Sequence, residues 1–392
     1  MTDFEAKSLC ILGRQPALGL AELESLYGAE HIQPSGEVAQ LDIPAEEINF
    51  KRLGGTIKTA RVLGTLPGSD WQSAASYLKD MIPKHLQYVE GKLTLGVSVY
   101  GLPVSVQKLN QDVLEIKKII KKTGKPVRVV PNKALELNSA QVLHNKLTHK
   151  GGWELLLVRD GQQTIVAQTL FIQDIEAYGA RDQARPKRDA RVGMLPPKLA
   201  QIILNFNNTP AGGRILDPFC GTGVILQEAL LMGYHVLGTD IDPRMVEYSK
   251  ANLEWLVRQY PRTESGAAVE TGDATSHQWP GFSAVASEVY LGRPLNSLPP
   301  SDQLREIVND ANTITRKFLQ NLSKQLKSGQ KVSLAVPAWR KADGALVRLP
   351  LIDQLTDLGY NYVDLKHVPR GDLIYFREDQ VVARQLLRLE KI

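Results

Sequence analysis

The chain has 392 residues, 43% of them hydrophobic and 23% charged, which allows two or three domains that each bury a core. No apolar run approaches the length of a membrane span, and the N-terminus lacks a basic segment ahead of an apolar one, so neither a membrane anchor nor a secretion signal is expected. Cys10 and Cys220 are too few for a disulfide framework and suit a reducing, cytoplasmic setting; the net charge of +5 permits a nucleic-acid partner without requiring one.

In chain order, an apolar run at Leu9 to Leu12 reads as a strand. Ala17 to Tyr27 reads as a helix, with Leu18, Ala21, Leu23 and Leu26 near helical spacing. Pro34-Ser35-Gly36 and Leu66-Pro67-Gly68 bracket further short elements, so residues 1–69 are expected to form a small α+β unit. Residues 70–173 alternate similarly. Strands are expected at Leu93 to Tyr100, Val127 to Val130, Glu154 to Val158 and Thr164 to Phe171, with helices at Asp112 to Thr123 and Ser139 to Thr148. Between Gly101 and Lys150 ten Lys and Arg residues face three acids, a local excess of positive charge larger than that of the whole chain. A solvated helix face is the ordinary explanation of a charge run, and a phosphate-binding footprint is the functional one. A basic linker at 174–197 carries Arg181, Arg185, Lys187, Arg188 and Arg191. From residue 198 to 392, longer strand and helix blocks alternate as in an α/β parallel sheet.

Gly213 to Asp217 has a buried-strand pattern, PFCGTG is a glycine turn, and Val224 to Met232 reads as a helix. Glycines at 221 and 223 let a ligand approach the backbone, and a helix N-terminus favours an anion. The next strand ends at Asp240, 23 residues after Asp217, where a carboxylate can hold a ribose diol. A third strand, Ala267 to Thr271, is followed by Gly272-Asp273. The loop is neither Gly-x-Gly-x-x-Gly nor a Gly-Lys-Ser/Thr phosphate loop, so S-adenosylmethionine is the expected cofactor. Asp217, Phe219, Gly221, Gly223, Asp240, Ile241, Asp273 and Ala274 are its candidate contacts. Cys220 within the loop is expected to be a packing residue. His144, His149 and His277 lack partners at metal spacing, so no metal is expected.

DPFCGTGVILQEAL, GTDIDPRMV and ETGDA resemble motifs of class I amino-methyltransferases. VRVVPNKALELNSAQVLHNKL is similar to the THUMP RNA-binding module. ILGRQPALGLAELESL and the segment IQDIEAYGARDQARPKRDARVGMLPPKLAQIILN resemble the N-terminal unit and joining segment of tRNA guanosine N2-methyltransferases acting at tRNA position 10. The resemblance implies a ferredoxin-like unit at 1–69 and a THUMP domain at 70–173 gripping the acceptor end of tRNA. It also implies a Rossmann-like methyltransferase domain at 198–392. Lys117, Lys121, Arg128, Lys133, Asn138, Lys146, Arg185, Lys187 and Arg188 are the candidate RNA contacts. Against that, Asn138 could simply cap a helix and the arginines could form surface ion pairs.

Enzymes of this kind carry Asp/Asn-Pro-Pro-Tyr/Phe after the fourth strand. An acceptor on the amine hydrogens localises the nitrogen lone pair, and the aromatic ring stacks on the flipped base. Here Ala284 to Ala286 leads into Ser287-Glu288-Val289-Tyr290-Leu291-Gly292-Arg293, without either proline. In one register Ser287 takes the acid position; in the other Glu288 does, displaced by one from Tyr290. Glu288 as acceptor and Tyr290 as platform is the expected arrangement. The expected activity is methyl transfer to a guanine N2 amine in tRNA. The alternatives are a catalytically silent RNA-binding relative, or an enzyme acting on another base or on rRNA.

Overall fold

The computed structural model describes residues 4–189, 194–261 and 266–392. Arg191 of the expected linker lies outside them. The chain forms two compact units. The first takes the described part of Met1–Arg14 with Glu30–Lys51 and Thr56–Ile175; the second takes Gln15–Ala29, Arg52–Gly55 and Glu176–Ile392. The N-terminal region expected as one piece is thus divided. Helix α1 (Pro16–Tyr27) belongs to the second unit. The physical reason is Glu22, buried on α1, whose carboxylate accepts from the Gly54 and Gly55 amides and from Asn205. A buried carboxylate is tolerable only where donors converge on it.

In the first unit, strands β1 (Ser8–Leu12), β2 (Ile32–Ser35), β3 (Val38–Leu41), β4 (Thr56–Pro67), β5 (Leu93–Tyr100), β6 (Val127–Val129), β7 (Gly152–Asp160) and β8 (Gln163–Ile172) form one sheet. Their order is β2-β3-β1-β4-β8-β7-β5-β6. Helices α2 (Trp71–His85) and α3 (Val106–Lys122) cover it, and a short α4 (Ser139–His144) follows β6. The apolar positions Leu109, Val113, Ile116 and Ile120 of α3 recur at three- and four-residue spacing and pack against Leu78 and Ile82 of α2 and the strand residues Val97 and Leu155. The helix begins a turn and a half earlier than its sequence pattern suggested, because the Ser105 hydroxyl accepts from the Lys108 amide and caps it. The fully buried Lys58 pairs with Glu154 and donates to the Leu137 carbonyl; Ser98 and Thr169 donate to the same carboxylate at 2.6 and 2.7 Å.

The second unit continues with α5 (Ile175–Gly179), a π-helical turn at Ala180–Ala184, and α6 (Pro197–Phe206). Strands β9 (Arg214–Asp217), β10 (His235–Asp240), β11 (Ala267–Thr271), β12 (Ala284–Glu288) and β13 (Lys331–Arg340) alternate with α7 (Val224–Leu231), α8 (Pro243–Gln259) and α9 (Ser301–Ser323). Four shorter or terminal strands complete the sheet: β14 (Leu346–Arg348), β15 (Tyr360–Tyr362), β16 (Ile374–Tyr375) and β17 (Val382–Lys391). The order is β11-β10-β9-β12-β13-β17-β15. The five strands from β11 to β13 run parallel, while β17 is antiparallel to β13, β15 and β16. From β9 the chain first builds outward through β10 and β11, then returns to the other side of β9 with β12. The carboxyl ends of β9 and β12 therefore flank a topological switch point, where α/β sheets open a ligand crevice.

Candidate active site

A cavity of about 600 Å³ opens at those strand ends, lined by Asp217, Asp240, Asp273, Glu288 and Tyr290 among others. Each acid marks a strand end: β9 finishes on Asp217, β10 on Asp240 and β12 on Glu288, and Asp273 follows β11 by two residues. Phe219, Gly221, Ile241 and Ala274 line the same cavity. Phe219 also seats its ring edge-on against Phe318 of α9, with centroids 5.0 Å apart. Ile241, by contrast, is 69% exposed, an apolar face left open at the rim.

The glycine turn adopts a backbone that only glycine takes without strain at two points, Gly221 at φ +48° and Gly223 at φ +83°. A Cβ on Gly223 would also collide with the Ser249 hydroxyl of α8. Three turn amides are spent inside the protein: Cys220 donates to Thr239, Gly221 to the Asp240 carboxylate and Gly223 to the Cys220 carbonyl. Asp240 accepts that bond on one carboxylate oxygen and another from the Asp242 amide on the other, at 2.9 Å each. Burial pushes the Asp240 carboxyl above the ordinary range despite those two amides. The Cys220 thiol is buried and likewise driven well up by burial, so it is a poor nucleophile.

Ser287 and Glu288 take different environments. Ser287 is fully buried and donates to Asp217 at 2.6 Å. Burial pushes that aspartate up to about 7, against the Ser287 and Phe219 bonds that favour its charged form. Glu288 lines the cavity and accepts from Arg384 of β17 at 2.7 Å. Burial raises its carboxyl while the Arg384 charge draws it down. Tyr290 is 41% exposed at the rim.

Asp242, Met245 and Lys317 also line the cavity and were not among the sequence candidates. Asp242 had a readable signal, an Asp-Pro pair opening a helix. So had Arg384, an arginine beside the apolar residues of β17. Lys317 had none, because it lies on the polar face of α9.

The basic candidates divide. Lys121, Arg128, Lys133, Lys146, Lys187 and Arg188 are exposed, and Lys117 is half-buried. Asn138 is exposed but occupied: it caps α4 reciprocally with Gln141. Arg185 corrects the expectation of a solvent-facing phosphate contact, since it is 3% exposed. Arg181 is buried too and pairs with Glu228 at 2.6 Å, in a linker that is partly helical. Among the described residues no group of three or more His, Cys, Asp or Glu is arranged to hold a metal ion, and no helix is long and apolar enough to cross a membrane.

Strand order, glycine turn and acid-tipped strand ends define a Rossmann-like fold of the methyltransferase kind. Residues 185–259 match the UPF0020 family, described as an RMKL-like methyltransferase domain. A tRNA (guanine(10)-N2)-dimethyltransferase of Methanothermobacter thermautotrophicus is 53% identical over 75 residues, 19% of this chain and 22% of that protein. One of Pyrococcus abyssi is 30% identical over 240 residues, 57% of this chain and 66% of that protein. The matches thus span less than two thirds of these relatives' lengths. The crystal structure of TrmN from Thermus thermophilus shares the fold, with a TM-score of 0.56 at 16% identity, over 99% of this chain and 100% of that one.

Proposed function

We propose that this protein transfers methyl groups from S-adenosylmethionine to the N2 amine of a guanine in tRNA. The observation that carries the proposal is that Glu288 and Tyr290 line the same cavity as Asp217, Asp240 and Asp273. The residues fit the cofactor. Asp240 retains lone pairs for a ribose diol, Ile241 offers an apolar face to a purine, and Gly221 lines the cavity with open space where a Cβ would stand. When bound, the cofactor supplies the methyl group: its carbon–sulfur bond breaks as the nitrogen–carbon bond forms, leaving a neutral thioether. Glu288 accepts a hydrogen of the amine, sharpening its lone pair, and takes the proton that the alkylated nitrogen sheds. Tyr290 stacks on the flipped base.

An ionised carboxylate presents acceptors only. Guanine meets it with two donors, the N2 amine and N1–H, whereas adenine and cytosine set an acceptor beside their amine. The names of the relatives support guanine in tRNA as the target. For binding, we assign the first unit the THUMP-like role of gripping the acceptor end, with Lys117, Lys121, Arg128, Lys133 and Lys146 facing phosphates, and we assign phosphate contacts to Lys187 and Arg188 of the second unit as well. The expected setting is the cytoplasm. Incubation with an unmodified tRNA transcript and labelled cofactor, followed by nucleoside analysis, should yield N2-methylguanosine or its dimethyl form. Cofactor binding without any methylated nucleoside would instead favour a silent RNA-binding protein, and a methylated adenosine would overturn the choice of base.

A further inference from the structure

We infer that Arg384 is a positioning residue of this site: its guanidinium holds Glu288 through one carboxylate oxygen and leaves the other for the substrate amine. The inference rests on the function proposed above, and it arises from a contact 96 residues apart in the chain. Arg384 Nε donates to Glu288 Oε1, and the two side chains are 3% and 14% exposed, so the ion pair is withdrawn from solvent while the glutamate still reaches the cavity. Among the described residues that is the one side-chain hydrogen bond of Glu288, so a second oxygen of this cavity-lining carboxylate is open to a substrate.

Arg384 is itself fixed. It sits in β17 opposite Pro337 of β13 on one side and Tyr375 of β16 on the other. Its Nη1 donates to Gln380 at 3.2 Å, and its guanidinium lies 6.0 Å from the Tyr375 ring centroid. The turn after β12 has a related tether. The Val289 amide donates to the Ala335 carbonyl at 3.0 Å, a bond that a proline there could not make. Where the resembled motif stiffens this turn with two prolines, the present chain uses one extra ladder bond and a side-chain anchor from a third strand.

The charged and titratable groups around Glu288 are few: Arg384 from β17, Asp217 from β9, Tyr290 from its own loop and Lys317 from α9, with Asp240 one strand further. Asp217 and Glu288 oppose each other's ionisation. Arg384 is the cation in direct contact, and its loss should let the proton stay on Glu288 to higher pH.

The test follows the Glu288 carboxyl by carbon-13 NMR in the full chain, its signal assigned with Glu288→Gln, alongside pH profiles of methyl transfer to a tRNA transcript. Arg384→Ala should raise the carboxyl midpoint by about one pH unit or more and move the acidic limb of kcat with it, while KM for tRNA changes little. Arg384→Lys, which keeps the charge, should restore most of the wild-type profile. Arg384→Met, which retains the packed stem, gives the same measurement if the alanine variant does not fold. A midpoint unmoved in the neutral variants would overturn the positioning role whatever the activity. A midpoint that moves as expected in the neutral variants, with no methylation of tRNA by the wild-type protein, would instead sink the proposed function, leaving the pair a structural one.

Discussion

Asp217 shows how one residue can belong to both fold and site. It ends β9 at the switch point, accepts from Ser287 and Phe219, and lines the cavity. With its carboxyl pushed up to about 7, the folded protein holds this proton more tightly than the unfolded chain, whose aspartates titrate near 4. The resulting stability is complete below about pH 4 and is lost as pH rises through 7, falling by about 1.4 kcal/mol per pH unit at its steepest. Asp217→Asn should flatten that slope, which denaturant titrations at pH 5 and pH 7.5 would show as a smaller difference than in wild type; an equal difference would assign the proton elsewhere. Gly223 makes a second residue-scale prediction. Alanine there meets both a left-handed backbone and the Ser249 hydroxyl, so Gly223→Ala should cost about 1–2 kcal/mol of stability. Calorimetry should also show cofactor affinity weakened about tenfold or more, because the turn must shift to relieve the clash.

Among the elements, the segment joining the units departs most from its sequence. Arginines in a Pro-containing stretch read as a solvated basic linker, yet α5 and the π-helical turn deliver Arg181 onto Glu228 of α7, where Gln201 of α6 also donates. The Arg181 guanidinium lies 4.6 Å from the Tyr178 ring centroid, and the Tyr178 hydroxyl donates to Gln201. Removing one partner strands a buried charge. Arg181→Met should therefore lower stability by about 3–5 kcal/mol, and adding Glu228→Gln should recover much of the loss. Thermal unfolding of the single and double variants decides this: losses that simply add would mean the two groups do not depend on each other. Helices with one apolar stripe, such as α3, were legible in outline because burial repeats with the helical period. Their ends were less so, since a cap such as Ser105 acts through a single hydrogen bond that periodicity does not register. The helix expected from Ser139 to Thr148 stops at His144, and Lys146 turns left-handed at φ +54°.

On the scale of the whole molecule, charge and division into units set the terms of RNA binding. If the exposed cations of the first unit face phosphates, tRNA affinity should fall steeply with salt. Neutralising Lys117, Lys121 and Arg128 together should reduce the log–log slope by about 0.7–0.9 for each phosphate that loses its cation. Arg185→Gln should leave the slope unchanged, because this residue is buried. Filter binding across a salt series separates the two, and a wild-type affinity indifferent to salt would remove RNA backbone contact from the function.

The sequence by itself determined the glycine turn, the carboxylates at the strand ends and the alternation that makes the second unit an α/β sheet. Those features follow from short-range sterics and from the two- and three-and-a-half-residue rhythms of burial. Only the tertiary structure decided which strand ends meet. It set β12 beside β9, so that Ser287 turns to Asp217 and Glu288 to the cavity. It ran β17 antiparallel to β13, so that Arg384 reaches Glu288 across 96 residues. It also placed α1 with the second unit through the buried Glu22. Such pairings depend on which segments of chain return to the same place, and no local pattern of residues carries that information.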